Sequence, residues 1–193
     1  MKKLILLAFP LYLIACNSKE EKPKPVEVPQ TAMTQSSNSE ALNKNFALLL
    51  SNYYGLKDAF VKEDTAKIKS FATDLIKAAD SLKLGDLKAE AALVETAKMN
   101  AQNVSDETKG LLGETNIENK RKSFQMVTSD VYDLLRVVKY DREIIYMQHC
   151  PMAFENKGAD WLSNTSEIVN PYIPKKMLDC GEVKDSVDFR PKK

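Results

Sequence analysis

His149, Cys150 and Met152 place an imidazole, a thiol and a thioether in one short stretch, Y-M-Q-H-C-P-M-A-F from Tyr146 to Phe154, and the histidine is the only one in the chain. Further on, K-K-M-L-D-C-G-E-V from Lys175 to Val183 pairs Met177 with Cys180. Soft sulfur ligands select monovalent copper or silver and, for thiolates, zinc. Calcium or magnesium would need clustered carboxylates, which these segments lack. The residue types therefore point to Cu(I) or Ag(I) held by His149, Cys150, Met152, Met177 and Cys180. A Cys150 to Cys180 disulfide is the competing reading, closing a loop of about thirty residues and contributing about 3 to 4 kcal/mol through lost chain entropy. Two unlinked core thiols are a third. Neighbours on a regular strand project to opposite faces, so binding through both His149 and Cys150 requires Pro151 to distort the chain.

The compartment decides how those thiols behave. The chain opens M-K-K-L-I-L-L-A-F-P-L-Y-L-I-A-C, two lysines followed by an apolar run too short to cross a bilayer, which reads as a signal peptide over residues 1–15. Its end, Leu13-Ile14-Ala15-Cys16, resembles a bacterial lipobox, which implies cleavage before Cys16, acylation of that cysteine and a membrane anchor. Several acyl chains anchor stably, since each buried methylene contributes about 0.8 kcal/mol. The expected location is the bacterial cell envelope, on the periplasmic side of a membrane, where thiols tend to oxidise. Of three cysteines, one then carries lipid and Cys150 and Cys180 remain as a potential pair. Lys19-Glu20-Glu21 resembles the signals after the lipid cysteine of surface-exposed lipoproteins, or is a solvated charge run.

Stepping along the chain, residues 16–38 carry prolines and charges with few large apolar side chains, the composition of a mobile tether. Residues 39–193 read as a single domain. Leu42, Phe46, Leu49, Leu50, Tyr53 and Phe60 fall on one helical face, with Ser39 as N-cap. Tyr53 and Tyr54 are expected at the edge of the core with hydroxyls in water. A second stripe, Ile68, Phe71, Leu75, Ala79 and Leu82, starts at Asp64 and stops near Gly85. Leu87, Ala91, Val94, Ala97 and Ala101 form a third, and a short segment from Ser105 to Leu112 leads into Gly113. The fourth is Ile117, Phe124, Val127, Val131, Leu134 and Val138, behind the capping box Thr115-Asn116-Ile117-Glu118. Short connections make this a mainly α protein, an antiparallel four-helix bundle.

Past Asp141 the pattern turns β-rich at Glu143 to Met147. Asn156 to Asp160 reads as a turn, Trp161-Leu162 as an apolar anchor, and Asn170-Pro171-Tyr172-Ile173-Pro174 as an extended, rigid segment. A second strand through Met177 to Cys180, resuming near Val183, would complete a small C-terminal β-hairpin that brings both sulfur segments together.

The blocks H-C-P-M-A-F-E-N-K-G-A-D-W-L and N-P-Y-I-P-K-K-M-L-D-C-G-E-V, with Tyr53-Tyr54 and Leu56-Lys57-Asp58-Ala59-Phe60, resemble a domain of unknown function common in Bacteroidetes. That domain occurs as a lipoprotein and at the C-terminal end of periplasmic adaptors of heavy-metal efflux pumps of the resistance-nodulation-division type. The resemblance spans roughly residues 39–187 and implies periplasmic handling of copper or silver, with the five candidate ligands on matching positions and an efflux adaptor or pump as partner. Tyr146 to Met152 is also similar to the Y-x-C-P-M core of small heavy-metal-binding domains, but Ala153 stands where that pattern has a histidine.

Other function classes find little support. A formal net charge of +1 without a basic cluster gives no footprint for nucleic acid. One histidine excludes a two-histidine metalloprotease motif, and phosphate-binding glycine loops and nucleophile elbows are missing. The expectation is a non-enzymatic soft-metal carrier or buffer, or else a structural or interaction module stapled by Cys150 and Cys180.

Overall fold

The computed structural model describes residues 38–191. The expected signal peptide, the lipidated Cys16 and the tether up to residue 37 lie outside the described residues. Four long helices and a small sheet make up the remainder: α1 (Glu40–Val61), α2 (Thr65–Asp80), α3 (Ala91–Gly113) and α4 (Ile117–Val138), then β1 (Ile145–Cys150), the single turn α5 (Ala153–Asn156), β2 (Ala159–Ser163) and β3 (Glu182–Val187).

The helix starts follow local chemistry. Ser39 accepts the Leu42 N–H and Asp64 accepts the Lys67 N–H, each satisfying a first-turn donor that has no helical partner. The start of α4 differs by one residue from the expected capping box: Asn116, not Thr115, is the cap, and its side chain takes the Asn119 N–H. The third helix also differs. It runs unbroken through Ser105 to Leu112, because Val104, Ser105, Thr108 and Leu111 are buried and extend the stripe that Ala97 and Ala101 begin. The second ends earlier than Gly85, at Asp80, and Gly85 sits in a 3-10 turn, Leu84–Asp86.

Each long helix packs on the next, α1 on α2, α2 on α3 and α3 on α4. All six residues of the first stripe are fully buried, and Phe124 of α4 stacks with Tyr53 at 5.3 Å between ring centroids. Tyr53 is not at a wet edge as expected. Its hydroxyl lies 2.7 Å from Thr128 Oγ1 and accepts the Leu162 N–H at 3.0 Å, joining α1, α4 and β2.

The sheet has three strands rather than two, in the order β2-β1-β3, all antiparallel. Trp161 and Leu162 lie on the outer strand β2 and both are fully buried. Met177 to Cys180 is not a strand. Asn170 Oδ1 accepts the Tyr172 and Ile173 N–H groups, Ile173 O accepts from Lys176 and Met177, and Met177 O accepts from Cys180, so residues 170–180 wind as successive turns. These turns also replace the extended segment expected across Asn170 to Pro174. Arg121 on α4 holds them to the helices: Nε donates to Pro171 O at 2.9 Å, Nη1 to Glu118, and Nη2 to Glu63 Oε1 at 3.1 Å.

Candidate functional site: the Cys150 and Cys180 thiol pair

Cys150 ends the central strand and is fully buried, while Cys180 ends the run of turns and is partly exposed. Their sulfurs stand 2.9 Å apart. What brings Cys180 there is backbone chemistry: Asn170 Nδ2 donates to Cys180 O at 2.8 Å while the Cys180 N–H bonds Met177 O at 3.3 Å. The Cys180 thiol is pushed up to about 11, first by its hydrogen bond with Cys150 and then by burial, against the opposing pull of the Met152 backbone N–H. A thiol in that state stays protonated at neutral pH.

Of the five candidate ligands, the structure brings the two cysteines together and takes His149 elsewhere. His149 and Asp160 are register partners on β1 and β2, with His149 Nδ1 at 2.6 Å from Asp160 Oδ1. Lys184, at the irregularity of β3 and not opposite His149, reaches across to Asp160, its ammonium 3.1 Å from Oδ2. Gly158 fits against the histidine ring: its φ is +80°, and a Cβ there would lie 2.7 Å from His149 Cε1. Met152 approaches Cys180 through its main chain and its side chain is exposed; Met177 is half-buried one turn before Cys180. Among the described residues, no group of three or more His, Cys, Asp and Glu side chains is arranged to hold a metal ion. A site here would rest on the two thiolates plus thioethers.

The turn beside the pair is wound against the usual hand. Phe154, Glu155 and Asn156 all have positive φ, at 51°, 59° and 66°. This local winding turns the chain through the short β1 to β2 connection.

A family comparison covers the helical part. Residues 49–143 match the model of a family described as a protein of unknown function, DUF3347. The DUF3347 match runs from α1 to the segment just before β1, so His149, Cys150, Met152, Met177 and Cys180 all lie beyond it. No curated protein and no solved structure matches the chain.

Several residues of structural weight escaped sequence reasoning. Asp160 reads as a turn residue until β2 is known, and only then does the hairpin place it opposite His149. Arg121 looks like one more charge on a helix, yet it is almost completely buried. The DUF3347 interval also contains most of a cleft that no motif signals. It is lined by Ser51, Tyr54, Gly55, Asp58, Phe71 and Glu143, together with Ala47 and Asn164 outside the interval.

Proposed function

We propose that this is an envelope protein, anchored through Cys16, that binds Cu(I) or Ag(I) through Cys150 and Cys180 and carries or buffers the ion for a heavy-metal efflux system. The observation that supports this reading is the approach of the two sulfurs to 2.9 Å at the end of the central strand, with Met152 and Met177 close in the chain to supply thioethers. At a metal–thiolate length of about 2.3 Å, two sulfurs on one ion must part by roughly 1 Å. The partly exposed Cys180, on a run of turns rather than in a strand, is the side that gives. Loading displaces the thiol protons, so affinity rises with pH. His149, bound to Asp160, stands outside this ligand set. The helices, each packed on the next in chain order, serve as an antiparallel four-helix bundle that carries the site away from the membrane.

Titration of the reduced protein with Cu(I) against a competing chelator tests the reading. One ion should bind, the Cys150→Ser and Cys180→Ser variants should lose it, and His149→Ala should keep it. Undiminished affinity in both cysteine variants would sink the assignment.

A second reading has the same observation in its favour. Sulfurs this close are within reach of oxidation to a disulfide, which would pin the turns of residues 170–180 to the sheet and leave the domain as an interaction module. Intact mass with and without reductant separates the two: a quantitative loss of two hydrogen atoms per chain, as two protons and two electrons given up to an oxidant, without metal uptake favours the staple.

A further inference from the structure

The cleft between α1, α2 and the approach to β1 lies apart from the sulfur pair. Its volume is about 450 Å³, within the range of small-molecule sites. Four observations define its chemistry. The buried Tyr54 hydroxyl faces Glu143 without closing a hydrogen bond of proper geometry, so the two groups satisfy each other only in part. Glu143, half-buried, has no ion-pair partner among the described residues, because neighbouring Arg142 is taken by Glu40 and Asp141. The second carboxylate of the lining, Asp58, is already neutralised by Lys57 at 2.9 Å. Phe71 closes one wall so tightly that a Cβ on Gly55 would lie 2.4 Å from its ring.

We infer that this cleft binds a small aliphatic ammonium ion, with Glu143 as its counter-charge, Tyr54 Oη as hydrogen-bond acceptor and the Phe71 and Tyr54 rings as its aromatic walls. A carboxylate with no cation beside it, a phenol that meets it only loosely and aromatic faces are what an ammonium group satisfies together, by a charge-assisted hydrogen bond and by cation–π attraction. An anion would meet Glu143 unfavourably. A neutral alcohol would satisfy Tyr54 and leave the carboxylate unmatched. The mutual influence of the two groups agrees with this placement: burial and then Glu143 raise the Tyr54 hydroxyl, and burial raises the Glu143 carboxyl while the Tyr54 hydroxyl lowers it. Ser51 and Asn164 at the rim offer further polar contacts.

The test is NMR titration of the full-length chain with n-butylamine and with putrescine, using n-butanol and butyrate as controls. Shifts should localise to Tyr54, Phe71 and Asn164 with the amines, and both controls should bind at least about tenfold more weakly. Glu143→Gln, which keeps the shape, should weaken amine binding by about tenfold or more. Gly55→Ala, which drives Phe71 into the cleft, should abolish it, and if that variant misfolds, Tyr54→Phe provides the second arm with a several-fold loss. Equal binding of butanol and butylamine, or an unchanged affinity in Glu143→Gln, would overturn the proposal. Replacing Cys150 by serine should leave amine binding unaltered, and a parallel loss there would also overturn it.

Discussion

Tyr53 on α1 takes the backbone N–H of Leu162 on β2 at 3.0 Å, so one phenol ties the helical layer to the inner edge of the sheet. The same oxygen meets Thr128 on α4 at 2.7 Å, and burial holds its proton on far above the usual phenol range. Replacing it with phenylalanine keeps the ring stack on Phe124 but strands the Leu162 N–H in the core. Tyr53→Phe should cost about 1 to 3 kcal/mol in a urea melt, with Leu162 the amide whose hydrogen exchange accelerates most. Unchanged exchange at Leu162 would show that the bond contributes nothing.

Arg121 is the corresponding tie for the turns that carry Cys180. Its side chain is 3 % exposed and its donors are spent on Pro171 O, Glu118 and Glu63. Arg121→Met should destabilise the domain by about 3 to 5 kcal/mol, toward the lower figure because Glu63 and Glu118 keep access to water. Lysine should rescue little, since a single ammonium cannot reproduce the fork. Thermal melts of the two variants check both statements.

Acid should loosen the same turns. Lys175 first and Arg121 second hold the Glu63 carboxyl below its ordinary value of 4.5. A lowered acid contributes stability that is complete above that ordinary value and is lost as pH falls through the lowered one. Amide exchange across residues 170–176 should therefore accelerate below about pH 4.5, and Lys175→Ala should move the onset upward.

Alkylation reads the thiol pair directly. With the protein reduced, Cys180 should react slowly with iodoacetamide until the pH approaches its pKa of about 11. Removing Cys150 as Cys150→Ala deletes the largest cause of that shift, so Cys180 should then react in the range of an ordinary thiol, near 8.5. A Cys180 reactivity profile that ignores the substitution would contradict the described pairing.

Gly158→Ala tests the His149 and Asp160 pair. The new methyl would meet His149 Cε1 at 2.7 Å and would hold a positive φ unfavourable to any β-carbon. A loss of about 1 to 2 kcal/mol is expected, together with displaced ring resonances of His149 as it leaves Asp160.

Helices were readable because burial imposes a 3.6-residue period that Leu42 to Phe60 and Phe124 to Val138 display openly. The middle of α3 was harder, since Ser105 and Thr108 are buried polar residues, and Thr108 Oγ1 satisfies itself on Val104 O at 2.6 Å inside the helix. The five-residue β2 is too short to show a period, so Trp161 and Leu162 looked like an isolated anchor. Proline at 171 and 174 suggested extension, whereas the Asn170 side chain imposes a turn that only its tertiary partner, Cys180 O, makes worthwhile. The Cys150 and Cys180 apposition followed from counting cysteines. The cleft could not, for its lining comes from separate elements, and Tyr54 and Glu143 acquire meaning only when α1 meets the approach to β1.

The reversed turn at Phe154 to Asn156 has a consequence for protein engineering. Three successive side chains there occupy a backbone region that disfavours a β-carbon, and Glu155 is exposed. Trimming an exposed side chain normally loosens a fold, but at this corner glycine should strengthen it: Glu155→Gly would relieve about 1 kcal/mol of local strain and raise the melting temperature. The corner next to the cysteines is a place where the domain gains by having less.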